Sequence, residues 1–253
     1  TNGAGTMAWA TASGGGSALG DNVIINPEML IAQRGATFAG LAAGNTYTLD
    51  RWIYTAQGTM VITASQSTTV PAAGTANYLF TNSLLAQVTT AQGSIGAWQG
   101  NYIAQRIEGY NWKNLAQQPT ALSFWVRSSL TGTYCAALIN NGVDRSYVAE
   151  YTINAANTWE RKTITIPASP AGGTWNYDSG IGVYLIFALS TGTSLQTTPG
   201  AWQTGNFYGT ANQVNFNATV GKQFYLTGVK FEAGSSATTF EGRSFGADVE
   251  LCQ

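Results

Sequence analysis

Twelve carboxylates and no histidine limit the acid–base chemistry open to this chain. Without His, the commonest general base, metal ligand and pH switch is missing. No Ser nucleophile elbow, phosphate loop or Cys–His arrangement occurs either. Glycosidase chemistry remains, and it needs two carboxyl groups facing one another across a cleft at roughly 5 to 10 Å. Glu108, Glu150, Glu160 and Glu232 fall on expected strands and are the candidates. Arg106, Arg127, Arg145 and Arg161 also fall on expected strands, and cross-strand pairing with them on the sheet faces is the simpler fate of these charges. The expectation is a protein that is not an enzyme. Cys135 lies in an apolar strand (TYCAALI) and reads as a small buried hydrophobe, with a disulfide to Cys252 left open.

The aromatic residues are the stronger signal. Eight Trp and twelve Tyr in a chain with only 9% charged residues exceed what one core requires. Trp52, Trp125 and Trp159 lie within expected strands and read as core. Trp98, Trp112, Trp175 and Trp202 lie in the segments GAWQGNY, GYNWKN, GGTWNYD and GAWQTGNFYG. Aromatic faces flanked by amides and hydroxyls suit a sugar ring: C–H groups stack on the π-face while the amides bond the hydroxyls. The same residues could clamp long loops onto a sandwich or fill contacts between subunits. Trp175 with Tyr177, and Trp202 with Tyr208, are the preferred sugar-binding candidates.

These residues need a scaffold, and the composition points to sheets. The chain has 253 residues, 44% of them hydrophobic, against roughly 25% charged residues in an average domain compared with 9% here. Thr and aromatic residues are abundant while Lys and Glu are scarce, which favours strands over surface helices. A net charge of -1 gives no reason to expect nucleic acid as a partner. No apolar run reaches the length of a membrane span, and membrane insertion is not expected. Residues 1–22 are rich in Gly, Ala, Ser and Thr and read as an arm or linker, either free or docked on a neighbouring subunit. Residues 23–253 read as one domain of short strands divided by Gly/Pro/Asn/Thr clusters.

Strands are expected at Met29–Gln33, Tyr47–Thr55, Thr59–Ser65, Asn77–Leu85, Tyr102–Gly109, Thr120–Ser128, Thr133–Asn140, Arg145–Ile153, Glu160–Ile166, Gly182–Leu189 and Gln223–Glu232, with no helix. Val183–Leu189 is apolar on both faces, so it belongs at the centre of a sheet covered on both sides. Leu122, Phe124 and Val126 alternate with Ser123, Trp125 and Arg127, as in a sheet with one face on the core. Strands in this number and of this length make an all-β, two-sheet antiparallel jelly-roll sandwich.

The order of local motifs resembles a family of jelly-roll domains carried on bacteriophage virion proteins, mostly tail fibres and other appendages. Asn26-Pro27 with Gln33-Arg34-Gly35, Asp50-Arg51-Trp52, Gln105-Arg106-Ile107-Glu108-Gly109 and Leu122-Ser123-Phe124-Trp125-Val126-Arg127-Ser128 match its earlier elements. Asn157-Thr158-Trp159-Glu160, followed by Thr163-Ile164-Thr165-Ile166, matches a later one. Towards the end Val229, Phe231, Glu232, Gly234, Ala237, Thr238, Phe240, Glu241, Arg243, Glu250, Leu251, Cys252 and Gln253 fall in place, with Thr239 where the family carries proline. The chain starts without Met and stops where that family runs on, so it reads as one segment of a longer protein or as trimmed at both ends. The same sandwich plan is shared with carbohydrate-binding modules of glycoside hydrolases.

The resemblance implies a non-enzymatic virion surface protein, a fibre or spike module that recognises host cell-surface polysaccharide. The alternative is a capsid decoration or cement protein, and a glycan-cleaving enzyme is a distant third. It further implies location on the virion, a homotrimer, and contacts with other virion proteins. No cofactor is expected, although jelly-roll carbohydrate modules often hold one structural Ca²⁺. Asp21, Asn22, Asn26 and Glu28 are the place to look for it, because the opening segment and closing strand adjoin in that fold.

Overall fold

The computed structural model describes residues 22–253. All of the arm expected at residues 1–22 except Asn22, together with the metal candidate Asp21, therefore lies outside the described residues. The strands in chain order are β1 (Thr37–Leu41), β2 (Gly44–Tyr47), β3 (Trp52–Ala56), β4 (Val61–Ser67), β5 (Ser83–Thr90), β6 (Gly100–Glu108) and β7 (Thr120–Ser128). There follow β8 (Gly132–Asn140), β9 (Arg145–Ile153), β10 (Glu160–Ile166), β11 (Ile181–Thr191), β12 (Trp202–Thr204) and β13 (Gln223–Ala233). They form a six-stranded sheet in the order β1-β4-β5-β13-β7-β10 and a seven-stranded sheet in the order β12-β9-β8-β11-β6-β3-β2. Every strand pair is antiparallel, and the two sheets pack as a jelly-roll sandwich.

The period-two patterns place the core as expected. Leu122, Phe124 and Val126 of β7 meet Leu185, Phe187 and Leu189 of β11 in one buried cluster between the sheets. Phe124 and Phe187 touch edge to face at 4.9 Å. The other face of β7 is also covered: Trp125 packs with Phe80 and Phe240 in a separate outer cluster. Strand β11 is fourth of seven, and its outward residues Ile186 and Ala188 are buried as well. Fully burying each such aliphatic side chain contributes about 1.5–3 kcal/mol.

Four expectations need correction. The expected strand Asn77–Leu85 begins only at Ser83, with Asn77 itself turning at φ 52°. Met29–Gln33 is no strand, because Asn26 and Met29 adopt φ values of 52° and 62° and fold the segment into turns. The expected strand Tyr47–Thr55 is a hairpin, β2 and β3, turned at Arg51 with φ 70°. Two helices exist where none was expected: α1 (Gly109–Trp112) and α2 (Phe245–Cys252), the latter capped by the Ser244 hydroxyl accepting from the Ala247 N–H. Among the described residues no helix is long and apolar enough to cross a membrane.

The opening segment is built into the six-stranded sheet. Strand β13 bulges at Gly228 (φ 58°), where an added Cβ would run into Phe80. Past the bulge, β13 bonds to the chain start: Val23 N–H donates to Phe231 O (3.1 Å), and Asn22 Nδ2 to Val229 O (3.0 Å). Arg243 closes the join by donating to the Ile24 carbonyl, the Asn22 carbonyl and Asp248 Oδ1. Asn26, fully buried, donates to the Ile31 and Asp50 carbonyls and accepts from the Ile31 N–H. Replacing Asn26 by Ala removes all three bonds and strands buried backbone groups, a loss of about 3 kcal/mol. Urea unfolding should show it as a lower midpoint with an unchanged slope.

Glu28 lies beside this join, 3% exposed, and accepts from the Tyr78 hydroxyl at 2.9 Å. Burial pushes its pKa up from 4.5 to about 7; the Tyr78 bond opposes the rise, Asp248 adds to it and Arg243 opposes it. The folded chain thus keeps a proton that the unfolded chain has released. The stability this contributes is complete below 4.5 and is lost as pH rises through about 7. The urea midpoint should fall between about pH 5.5 and pH 8, and Glu28→Gln should flatten that fall.

Candidate functional site

Alternation along the seven-stranded sheet lines up three rows of side chains that point away from the core. Asn45, Thr55, Tyr102, Ala188 and Cys135 form one row across β2, β3, β6, β11 and β8. Ile53, Ala104, Ile186 and Ala137 form the next, and Arg106, Tyr184 and Ile139 the third. The middle row is short and aliphatic, while the flanking rows carry tyrosines, so the sheet's own side chains shape a hollow. The long connection after β11 folds over one side of it and brings in Leu195 and Tyr208, both buried. Its position is set by backbone bonds, with Gly192 N–H donating to Gln99 O, Ser194 N–H to Ala97 O, and Tyr208 N–H to Leu195 O.

The result is an open cleft of about 330 Å³, within the range of small-molecule sites. Trp98, on the β5–β6 loop, stands on its rim with 73% of its surface exposed. Tyr208, 3% exposed, meets Tyr102 edge to face at 5.1 Å. Burial raises the pKa of both phenols, so both stay neutral donors. Gln57 accepts from the Gly100 N–H at 3.0 Å, and Asn45 accepts from the Thr55 hydroxyl at 2.6 Å. Among the described residues the amide NH₂ groups of Asn45, Gln57 and Asn206 have no partner and are available to a ligand. Aromatic faces, an aliphatic floor and convergent amides can take a sugar ring without a charge on either side.

The preferred aromatic pairs are rearranged. Trp175 meets Trp202 edge to face at 5.7 Å, away from the cleft. Trp175 also stacks on Trp112 at 5.5 Å, and Trp202 lies tilted against the buried Tyr147 at 5.7 Å. Their indole N–H groups donate to Gly172 O and Pro167 O in the β10–β11 connection, so half-buried Trp175 and Trp202 clamp that loop onto the sandwich. Tyr177 is 36% exposed on the same loop. Tyr208 alone of the four lines the cleft. Trp98 stands among the loop tryptophans of the sequence but outside the preferred pairs, and Tyr102, Arg106 and Tyr184 are not among the candidates. The signal for these three is the alternation of Tyr102-Ala104-Arg106 and Tyr184-Ile186-Ala188, which marks one face of two adjacent strands.

The acidic residues do not assemble. Arg51 pairs with Glu108 at 2.5 Å, whereas Glu150 accepts from Thr210 and Asn212. Glu160 accepts from Lys162 and Asn154, and Glu232 from Thr238 beside Lys230. No two of the four share a partner, and none of these partners is the expected arginine. Burial opposes ionisation of Glu160, but Lys162 and the loop amides outweigh it and hold the carboxyl at about 2. Cys135 is buried and free, its thiol pushed up to about 11 by burial, and Cys252 is likewise unpaired. At the metal candidates, the Asn22 side-chain oxygen accepts from Ile24 and Phe231 N–H, and the Asn26 oxygen from Ile31 N–H. Glu28 holds Tyr78. These three join neighbouring segments, and among the described residues no group of three His, Cys, Asp or Glu side chains is gathered.

Fold and cleft define the class: a jelly-roll β-sandwich with an open hollow on one sheet. No protein-family model matches the chain, and no curated protein does. Solved structures do match it. It aligns over 85% of its length with the enzymatically active domain of tailspike protein 4 from bacteriophage CBA120, at 15% identity and a TM-score of 0.46. The chain spans only 22% of that protein. A putative sugar binding protein from Bacteroides thetaiotaomicron aligns with 84% of the chain and over 100% of its own length, at 12% identity and TM-score 0.45. The C-terminal family 22 carbohydrate-binding module of Clostridium thermocellum Xyn10B aligns with 81% of the chain and 99% of its own length, at 15% identity and TM-score 0.39.

Gly100 packs against Tyr208 of the cleft wall. A Cβ there would collide with the Tyr208 hydroxyl and ring. Gly100→Ala should cost about 1–3 kcal/mol through overpacking. Gly246→Ala, in α2 with open space around it, should be neutral or stabilising by up to about 1 kcal/mol. Parallel urea titrations of the two variants check the contrast.

Proposed function

We propose that this domain is a non-enzymatic glycan-binding module of a phage virion surface protein, a fibre or spike, that attaches to host cell-surface polysaccharide. The cleft carries the proposal: an exposed Trp98 above an aliphatic floor of Ala104 and Ile186, with Tyr102, Tyr184 and Tyr208 around it and unpartnered amides at its edge. Separate anchoring of the four strand glutamates supports a binding rather than a cleaving role. The virion setting and the homotrimer rest on the sequence resemblance, and light scattering that gives a monodisperse monomer would argue against the trimer. Open, shallow sites of this kind bind weakly one at a time, and repeated copies on a particle multiply their effect.

The test is titration calorimetry of the purified domain with polysaccharide extracted from the host surface. Trp98→Ala should weaken binding about tenfold, as loss of a central aromatic contact does, with no change in melting temperature because the side chain is exposed. Ala104→Trp should fill the floor and abolish binding. Absence of saturable binding, or wild-type affinity in both variants, would refute the proposal.

A further inference from the structure

Resting on that glycan-binding reading, we infer that the saccharide it takes is acidic, with an anionic substituent held at the Arg106 end of the cleft. Arg106 lines the first hollow and also a second one of about 610 Å³, so the two adjoin at its side chain. The second hollow adds Arg34, Arg51, Tyr47 and Tyr110. Three arginines face two carboxylates here. Asp50 lies 3.8 Å from Arg34 and already accepts from the Gln33 N–H, while Glu108 is held by Arg51. Arg106 forms no ion pair among the described residues.

The head group of Arg106 is braced rather than free. It lies 5.8 Å from the centre of the Tyr47 ring and 5.9 Å from that of Tyr184, and one of its terminal nitrogens donates to the Tyr47 hydroxyl at 3.2 Å. Its Nε is buried with no hydrogen-bond partner. Arg34 lies against the same Tyr47 ring at 5.0 Å. A guanidinium stacked on aromatic rings keeps its charge and loses little freedom on binding, which suits planar anionic groups. A partly covered cation without a counter-charge is costly, and an anion brought by the ligand removes that cost. The chain's net charge of -1 hides this local excess. Trp98 then takes the sugar ring while Arg106 reads its acid group.

The experiment is affinity electrophoresis of the folded domain in gels containing neutral dextran, sulfated dextran, polygalacturonate, hyaluronan, or carboxyl-reduced forms of the last two. The expected result is retardation by the acidic polymers that weakens with added salt and falls about tenfold in Arg106→Gln, as loss of a charge-assisted contact predicts. Retention lost on carboxyl reduction identifies a carboxylate, and retention by sulfated dextran identifies a sulfate ester. A melting curve like that of wild type confirms that Arg106→Gln is folded. Binding to neutral dextran as strong as to any acidic polymer, or an unchanged Arg106→Gln, overturns the acidic preference and leaves the glycan cleft standing. No retardation in any gel, together with no binding to host polysaccharide, overturns both.

Discussion

Strand β11 is apolar on both of its faces, and much of the molecule follows from that. Its inner side chains Val183, Leu185, Phe187 and Leu189 fill the space between the sheets, which any sandwich would provide. Its outer residues Ile186 and Ala188 are equally buried, and a sandwich alone does not cover them. The long connection after β11 supplies the cover by folding back over the sheet, held by Gly192, Ser194 and Tyr208 backbone bonds. That connection covers one side of the outer face only. The uncovered remainder, between Tyr102, Tyr184 and the Trp98 loop, is the cleft.

The two ends of the described chain solve a second problem. Strand β5 pairs with β13 only over residues 223–226, so the rest of that β13 edge would present unpaired N–H and C=O groups. The opening segment takes β5's place there through Asn22 and Val23. Arg243 and α2 hold it down. The side chains of Asn22, Asn26 and Glu28, which could have been metal ligands, complete this joint. The joint also reaches the cleft's sheet, because Ile25 and Gln105 of β6 exchange hydrogen bonds at 2.8 Å and the Trp52 indole N–H donates to the Asn26 carbonyl.

Where one face of a strand was clearly apolar, the sequence was an accurate guide. β7, β9 and β10 have the bounds expected from their alternation, and β11 lies at the sheet centre as its two apolar faces required. Legibility failed where side-chain pattern does not control the backbone. Asn26, Met29 and Arg51 take left-handed conformations that their residue types only permit, so one expected strand became turns and another a hairpin. Helix α2 was missed because its eight residues have little amphipathic pattern and are fixed by a Ser244 cap and the Arg243–Asp248 contact. For the site, the fold separates the preferred aromatic residues: Tyr208 lines the cleft, while Trp175 and Trp202 lie away from it. Trp175 and Trp202 proved to be loop clamps, since each indole N–H found a carbonyl and each ring a neighbouring ring. The cleft is made instead of residues brought together from five strands by register, a relation that linear spacing does not carry.

The most direct test is to map the ligand on the protein by amide and side-chain NMR, titrating the labelled domain with oligosaccharides cut from the host polysaccharide. Shifts should concentrate on Tyr102, Ala104, Arg106, Tyr184 and Ile186 and on the Trp98 indole. Shifts confined to Trp175, Tyr177 and Trp202, or an unperturbed spectrum at saturating oligosaccharide, would contradict the assignment of the outer face of the seven-stranded sheet as the glycan site.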